Sequence, residues 1–447
     1  MKIPDRELRE MLADVVESSA MSLLDPDRLQ AIAEDLRVVE RRRGYNVGLV
    51  AVSIVLSALQ RSTDTQGRLA DARRVYEMLG GGATQESGFR KAARKVAPVL
   101  REILDRRLAA VAAGVAHPEL RGRLSALGDI LIPDGCAFKL ASTLAGSYAG
   151  TGQPSELKFH AVYSVRAGGV VSLRATAGAV HDNDGFAPRA WAPGSLYIWD
   201  LGYNDYGRAV EATKAGALVL QRLKSGANPK ILASFGPDGH RREIVSEDGG
   251  AVCLNDACAM GLVHRQRVLD LDVELREGGE TATVRIVCVP FGGEDRYYLT
   301  TLARDVFSPH DVAELYRLRW EIELFFRGLK GATRLDEVRR LENAESLHAV
   351  VYGSLLAALL ARDITARLND LETSRQSAQA SAEAAEAFPP CGLRTGAVGA
   401  DSDEPVRRRA HEEPPAEPDP ADVLRRRLAA RSRLSPHPRA HERHLEP

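Results

Sequence analysis

The sequence predicts an α/β protein: a mixed sheet flanked by helices and preceded by an all-helical region. Three observations predict it. Residues 5–115 carry apolar repeats at helical spacing, the period changes to alternating or continuous β-type runs beyond residue 125, and a helical segment then separates two of those runs. A strand, a crossover helix and another strand imply some parallel pairing.

In chain order, LREMLADVV, LQAIAEDL, VGLVAVSIVLSAL, RRVYEML and VAPVLREIL supply the helical repeats. GGGATQES (80–87) interrupts them, so a helix, a Gly-rich turn and a helix are expected there. Such a pair could read DNA, but two helices that merely pack together fit the pattern better. DILIPDG (129–135), LKFHAVYSV (157–165), GVVSLRATA (169–177) and SLYIWD (195–200) read as strands. YGRAVEATKAG (206–216) reads as a short helix and ALVLQRLK (217–224) as a fifth strand. Alternation resumes across 225–305 as a β-rich insertion before a further helix, and Leu347–Leu368 reads as the last packed helix. The expected division is a helical N-terminal domain (1–125), an α/β domain (126–345), a C-terminal helix (346–370) and a tail (371–447). Ten of the 22 prolines fall in 389–447 among acidic and arginine runs, so the tail is expected to be disordered.

Composition narrows the function classes. With 447 residues, 44% of them apolar, the chain can bury two or three cores. Its longest apolar stretches, Val47–Leu59 and Leu347–Leu360, fall short of the ~20 residues a membrane helix needs. No membrane span is expected. The N-terminus is charged from the start and shows no secretory signal, which points to a cytoplasmic protein. Cys136, Cys253, Cys258, Cys288 and Cys391 lack metal-ligand spacing and are expected to be reduced packing residues. A formal charge of −1 gives no global sign of a polyanion partner, so any such surface must be local, as in FRKAARK (89–95).

The stretch YRLRWEIELFFRGLK (316–330) carries the chemistry. On a helix, Tyr316, Arg319, Glu323 and Lys330 fall within about 60° of one another, with Leu318, Ile322, Phe325 and Leu329 nearly opposite. Two other acids follow apolar runs: Asp134 after ILIP and Asp200 after LYIW, each read as a strand-end residue at the sheet edge where sites are built. Three converging acids repel one another unless cations neutralise them. Hard divalent ions such as Mg²⁺ take carboxylates and complete their shells with phosphate oxygens, and two such ions support in-line displacement at phosphorus. Arg319 and Lys330 would then hold phosphate oxygens, with Tyr316 as a hydrogen-bond donor. A solvated charged stripe and two turn-forming aspartates are the plainer alternative.

The offsets of Tyr316, Arg319, Glu323 and Lys330 resemble the Y-R-E-K signature of bacterial insertion-sequence transposases of family four. The stretches around IPDG and WDLGY resemble that family's first and second aspartate motifs. The resemblance covers roughly 125–365. It implies a ribonuclease H-like catalytic domain with Asp134, Asp200 and Glu323 as the catalytic and metal-binding acids, using two Mg²⁺ ions for which Mn²⁺ can substitute. It also implies a homodimer that cleaves double-stranded DNA at terminal inverted repeats and joins the 3′-hydroxyls to target DNA. A catalytically defective derivative that binds the repeats and represses transposition is the alternative. TAGAVHDND also resembles a family stretch, so Asp182 or Asp184 competes with Asp200, which is preferred for its rigid strand mount. Arg222 and Lys224 resemble basic residues placed near DNA, although pairing with surface acids explains them equally well. Some relatives stack a tryptophan from the β-rich insertion on a flipped base; Trp191, Trp199 and Trp320 all lie outside 225–305, leaving Phe291, Tyr297 or Tyr298 for that role.

Overall fold

The computed structural model describes residues 21–387 apart from 40–43, 61–66, 114–119, 121, 187–190, 204–205, 225, 237–238, 247–248, 264–266, 278 and 334. Described residues within 1–119 and 126–371 form one compact unit, and those within 120–125 and 372–447 a second. The sheet and the helices that pack on it belong to the first unit. Cys391 and the tail beyond 387 lie outside the described residues.

The N-terminal helices are α1 (Pro26–Asp35), α2 (Val47–Ala58), α3 (Arg68–Tyr76), α4 (Glu86–Lys95) and α5 (Ala97–Ala113). Asn46 starts α2 by accepting from the Leu49 amide at 2.8 Å, filling one of the orphan donors of a helix start. Because α2 is apolar on every side, it is buried on nearly every side. α1 crosses it at Gly48, where a Cβ would stand 1.9 Å from the Pro26 carbonyl oxygen. Gly80 and Gly82, at φ 87° and 77°, turn the chain from α3 towards α4. α4 buries Phe89, Ala92 and Ala93 and exposes Arg90, Lys91, Arg94 and Lys95.

One ten-stranded sheet follows, in the order β3-β2-β1-β4-β5-β10-β9-β8-β6-β7. Its leading strands are β1 (Ile130–Lys139), β2 (Glu156–Ser164), β3 (Gly169–Ala177), β4 (Leu196–Trp199) and β5 (Leu218–Arg222). β1, β2 and β3 pair antiparallel, whereas β1 with β4 and β4 with β5 pair parallel. The right-handed way back to a parallel neighbour needs a crossover, and α6 (Tyr206–Lys214) provides it between β4 and β5. The expected mixed sheet with flanking helices is therefore present.

The region 225–305, expected to be β-rich, joins the same sheet. Its strands β6 (Lys230–Phe235), β7 (Arg241–Arg242), β8 (Leu269–Glu277), β9 (Glu280–Phe291) and β10 (Glu294–Thr300) continue it, with α7 (Leu254–Ala259) between β7 and β8 and β10 pairing antiparallel with β5. Buried apolar residues on β8, β9 and β10 share one core with those of β4 and β5. Three sequence expectations need correction. First, Asp134 does not end its strand, because β1 runs on against β2 to Lys139.

Second, 316–330 is not one helix but the end of α8 (Pro309–Arg317) and most of α9 (Trp320–Thr333). Amides of Leu318, Arg319 and Glu321 bond three residues back, tightening the junction. A straight helix would set Tyr316 and Leu318 about 200° apart, and here both are buried. Third, the last helix, α10, spans Ala344–Ala387 rather than stopping near 370. Residues 371–387 hold no Gly or Pro and many Ala, Glu and Gln, which favour helix until Pro389. Its part Ala344–Thr365 is long and apolar enough to cross a membrane, contrary to the sequence reading, but 67% of its most apolar window is buried inside the protein.

Candidate carboxylate site

Asp134 lies on β1 just beyond the stretch that pairs with β4, and Asp200 directly follows β4. The parallel register couples Ile130 with Leu196 and Leu131 with Tyr197, an offset of 66. The same offset sets Asp200 level with Asp134 (200 − 134 = 66). The backbone amide of Gly135 donates to Asp134 Oδ1 at 2.8 Å, and the Tyr316 hydroxyl donates to Asp200 Oδ1 at 3.2 Å.

Glu323 comes from the first turns of α9, which packs against β1 and β2. Between it and the aspartates stands Arg319. Its guanidinium is 2.5 Å from Glu323 Oε1, 3.8 Å from Asp200 Oδ2 and 4.0 Å from Asp134 Oδ2. Three acids from a strand, a strand end and a helix thus meet around one cation. Burial pushes the Asp134 carboxyl up to about 6; the Gly135 amide and Arg319 oppose this, and Asp200 and Glu323 add to it. Burial works against the Arg319 charge, yet Asp200, Tyr316 and Glu323 hold its pKa above the ordinary value. Burial, with Asp200 adding to it, raises the Tyr316 phenol, which keeps its proton and can donate.

Lys330 lies beside β1. Its ammonium lies 5.5 Å from the centroid of Phe138 and beside the Cys136 thiol, whose pKa burial raises and Lys330 lowers. Cys136 and Phe138 share the Asp134 face of β1 by strand alternation, so Lys330 continues the site along the strand. Arg222 ends β5 opposite Tyr298, whose ring packs 5.1 Å from that of Tyr316. With Lys224, it borders a cavity of about 390 Å³ whose wall includes Leu201, Asn255 and Tyr297. Phe291 is exposed at the β9–β10 turn under Arg296, and Tyr298 is buried.

The competing acids lie elsewhere. Asp182 opens a single helical turn (Asp182–Gly185) and pairs with Lys158 Nζ at 2.9 Å. It faces Gly135: a Cβ there would be 2.7 Å from Asp182 Oδ1, and alternation puts residue 135 on the opposite side of β1 from Asp134. Asp184 is exposed. Sequence reasoning missed this second polar cluster, which adds His160 and Tyr203, both nearly fully buried. Lys158 and His160 sit in an apolar strand pattern with no signal of an acid partner, and only the register, Gly135 opposite His160, could have found them.

The family described as "Transposase DDE domain" matches residues 126–360. A transposase for insertion sequence element IS421 from Escherichia coli is 47% identical over 145 residues, which is 32% of this chain and 37% of that relative. The chain thus spans little more than a third of that curated relative's length. A transposase for insertion sequence element IS231E from Bacillus thuringiensis subsp. finitimus is 20% identical over 385 residues, 78% of this chain and 79% of the relative. The cryo-EM structure of the piggyBac transposase synaptic complex with hairpin DNA aligns at a TM-score of 0.34 and 10% identity, covering 80% of this chain and 76% of that one.

Proposed function

Because this chain belongs to the transposase DDE domain family, we propose that it cleaves the ends of an insertion sequence and joins the freed 3′-hydroxyls to target DNA, with Asp134, Asp200 and Glu323 as its catalytic acids. The observation that carries this reading is the convergence of those three acids on Arg319. The order β3-β2-β1-β4-β5, antiparallel on one side of β1 and parallel on the other, supports a ribonuclease H-like core. The spacing of Tyr316, Arg319, Glu323 and Lys330 supports membership of family four.

DDE domains generally use divalent metal ions, and the donor set here fits them. Carboxylate oxygens are hard ligands suited to Mg²⁺ or Mn²⁺. Burial raises the Asp134 carboxyl, and Asp200 and Glu323 beside it add to the rise. Asp134, Asp200 and Glu323 would hold two ions, which when bound would supply activation of the attacking oxygen and stabilisation of the leaving oxygen at phosphorus.

The protein's own groups position the DNA. Tyr316 fixes the Asp200 carboxylate through its hydroxyl. Arg319 grips a phosphate by its fork, while Lys330, Arg222 and Lys224 add positive charge along β1 and at the end of β5. The exposed basic face of α4 meets the DNA ends, and a homodimer brings two ends together. The repressor alternative gains nothing from an acid set that is complete. The test is Mg²⁺-dependent cleavage of the DNA ends flanking the gene by wild type and Glu323→Gln: cleavage by wild type alone is expected, and equal activity would remove the assignment.

A further inference from the structure

We propose that Arg319 is a built-in counterion that keeps the three acids closed to divalent metal until a phosphate draws its guanidinium away. The inference rests on the reading of Asp134, Asp200 and Glu323 as metal-holding acids, and gives Arg319 a task before DNA arrives.

One guanidinium reaches all three carboxylates, at 2.5, 3.8 and 4.0 Å. The Arg319 side chain is 15% exposed, less than those of Asp134 (20%), Glu323 (29%) or Asp200 (42%), so it sits inside the cluster rather than over it. Among the described residues, no three His, Cys, Asp or Glu side chains stand close enough to hold a metal ion. Mg²⁺ requires oxygens at about 2.0–2.1 Å in near-octahedral array, and a guanidinium wedged among the acids denies it that approach. A divalent ion beside an unmoved Arg319 would also meet its charge at close range.

Arg319 is placed to leave. It lies between α8, which ends at Arg317, and α9, which starts at Trp320, so its side chain can swing without unwinding a turn of either. A DNA phosphate offers the same fork geometry as a carboxylate and satisfies the departing guanidinium bidentately. Phosphate and metal then favour each other, because each relieves the other of a competitor. By linkage the coupling is reciprocal. In DNA-free protein the site would stay neutralised and poorly loaded; on DNA it would load.

The test is Mn²⁺ binding to the full-length, DNA-free protein, followed by electron paramagnetic resonance, for wild type, Arg319→Gln, Arg319→Lys and each of these with Glu323→Gln. Arg319→Gln is expected to bind Mn²⁺ more tightly by on the order of tenfold, while Arg319→Lys, which keeps a cation in place, stays near wild type. A random-sequence duplex oligonucleotide should tighten Mn²⁺ binding to wild type and not to Arg319→Gln. Equal affinity in wild type and Arg319→Gln, both weakened by Glu323→Gln, would overturn the counterion role and leave the acids as metal ligands. Binding indifferent to Glu323→Gln in every background would overturn both readings. Without its guanidinium the cluster holds three uncompensated acids, so Mn²⁺ should also raise the unfolding temperature of Arg319→Gln more than that of wild type; an equal rise counts against the proposal.

Discussion

Asp134 and Asp200 stand level on neighbouring parallel strands, held there by the 66-residue offset that couples Ile130 to Leu196. Asp134 is carried by a strand that continues past it, and Asp200 by one that stops before it. Rigid pairing on one side and a free strand end on the other bring two carboxylates towards the same guanidinium without burying either completely.

The first prediction separates the two candidates for the second acid. Asp200→Asn should reduce metal-dependent DNA cleavage by on the order of 10³-fold or more, as expected for one member of a set acting as a unit. Asp182→Asn should leave cleavage near wild type and weaken the fold instead, because Asp182 pairs with Lys158 on the far side of β1. A reversed ranking in a single-turnover cleavage assay would mean that the strand mount was misjudged.

The site was legible in the sequence to the degree that its parts are local. The offsets linking Tyr316, Arg319, Glu323 and Lys330 lie within fifteen consecutive residues, and apolar runs flag Asp134 and Asp200. Tertiary effects hid the rest. No Gly or Pro marks the junction at Leu318 and Arg319, so the segment reads as one helix. Asp-Gly after ILIP reads as a turn, but β2 supplies a partner that carries β1 through it. Asp270 and Arg285 look like solvent-facing charges in alternating strands; in the fold they are a buried pair, because β8 and β9 lie inside one wide sheet.

A second prediction concerns pH in metal-free, chelator-containing buffer. Asp134 has a folded pKa of about 6 against an ordinary value of 3.8. Below about 3.8 the carboxyl is protonated in both folded and unfolded chains, and its contribution to stability is fully present. Between the two values the unfolded chain gives up the proton first, so this contribution falls as pH rises and is lost above about 6. The difference corresponds to roughly 3 kcal/mol at most. Urea unfolding of wild type and Asp134→Asn from pH 4 to 7 should show the variant gaining relative stability with rising pH, and a constant difference would contradict the assigned shift.

A third prediction addresses the support behind Tyr316. Arg285 donates to both Asp270 carboxylate oxygens at 2.8 Å and to the Leu302 and Phe307 carbonyls at 3.2 and 2.8 Å, fixing the segment that leads into α8. At 5% exposure, its removal strands Asp270 near the sheet interior, with Arg304 at 3.1 Å as its remaining cation. Arg285→Ala should cost about 3–5 kcal/mol in denaturant unfolding, whereas Arg285→Met with Asp270→Leu, which removes both charges, should recover most of it. Failure of the double variant to exceed the single one would show that the carbonyl bonds, not the ion pair, hold the loop.

The last prediction tests how tightly the two faces of β1 are coupled. Gly135 follows Asp134 and contributes no side chain, and the position of its missing Cβ is 2.7 Å from Asp182 Oδ1 and 3.1 Å from the Tyr203 hydroxyl. Asp182 cannot yield freely, because Lys158 holds it at 2.9 Å. Gly135→Ala must therefore push β1 towards α9 or break the Lys158–Asp182 pair, at a cost of about 1–3 kcal/mol for an overpacked site. Movement of β1 would displace the Asp134 carboxylate, whose Oδ1 is bonded to the amide of residue 135 itself. Cleavage should then fall far more than stability alone explains, and combining Gly135→Ala with Asp182→Ala, which vacates the space, should restore it. If the double variant stays as inactive as the single one, the clash is not what displaces Asp134.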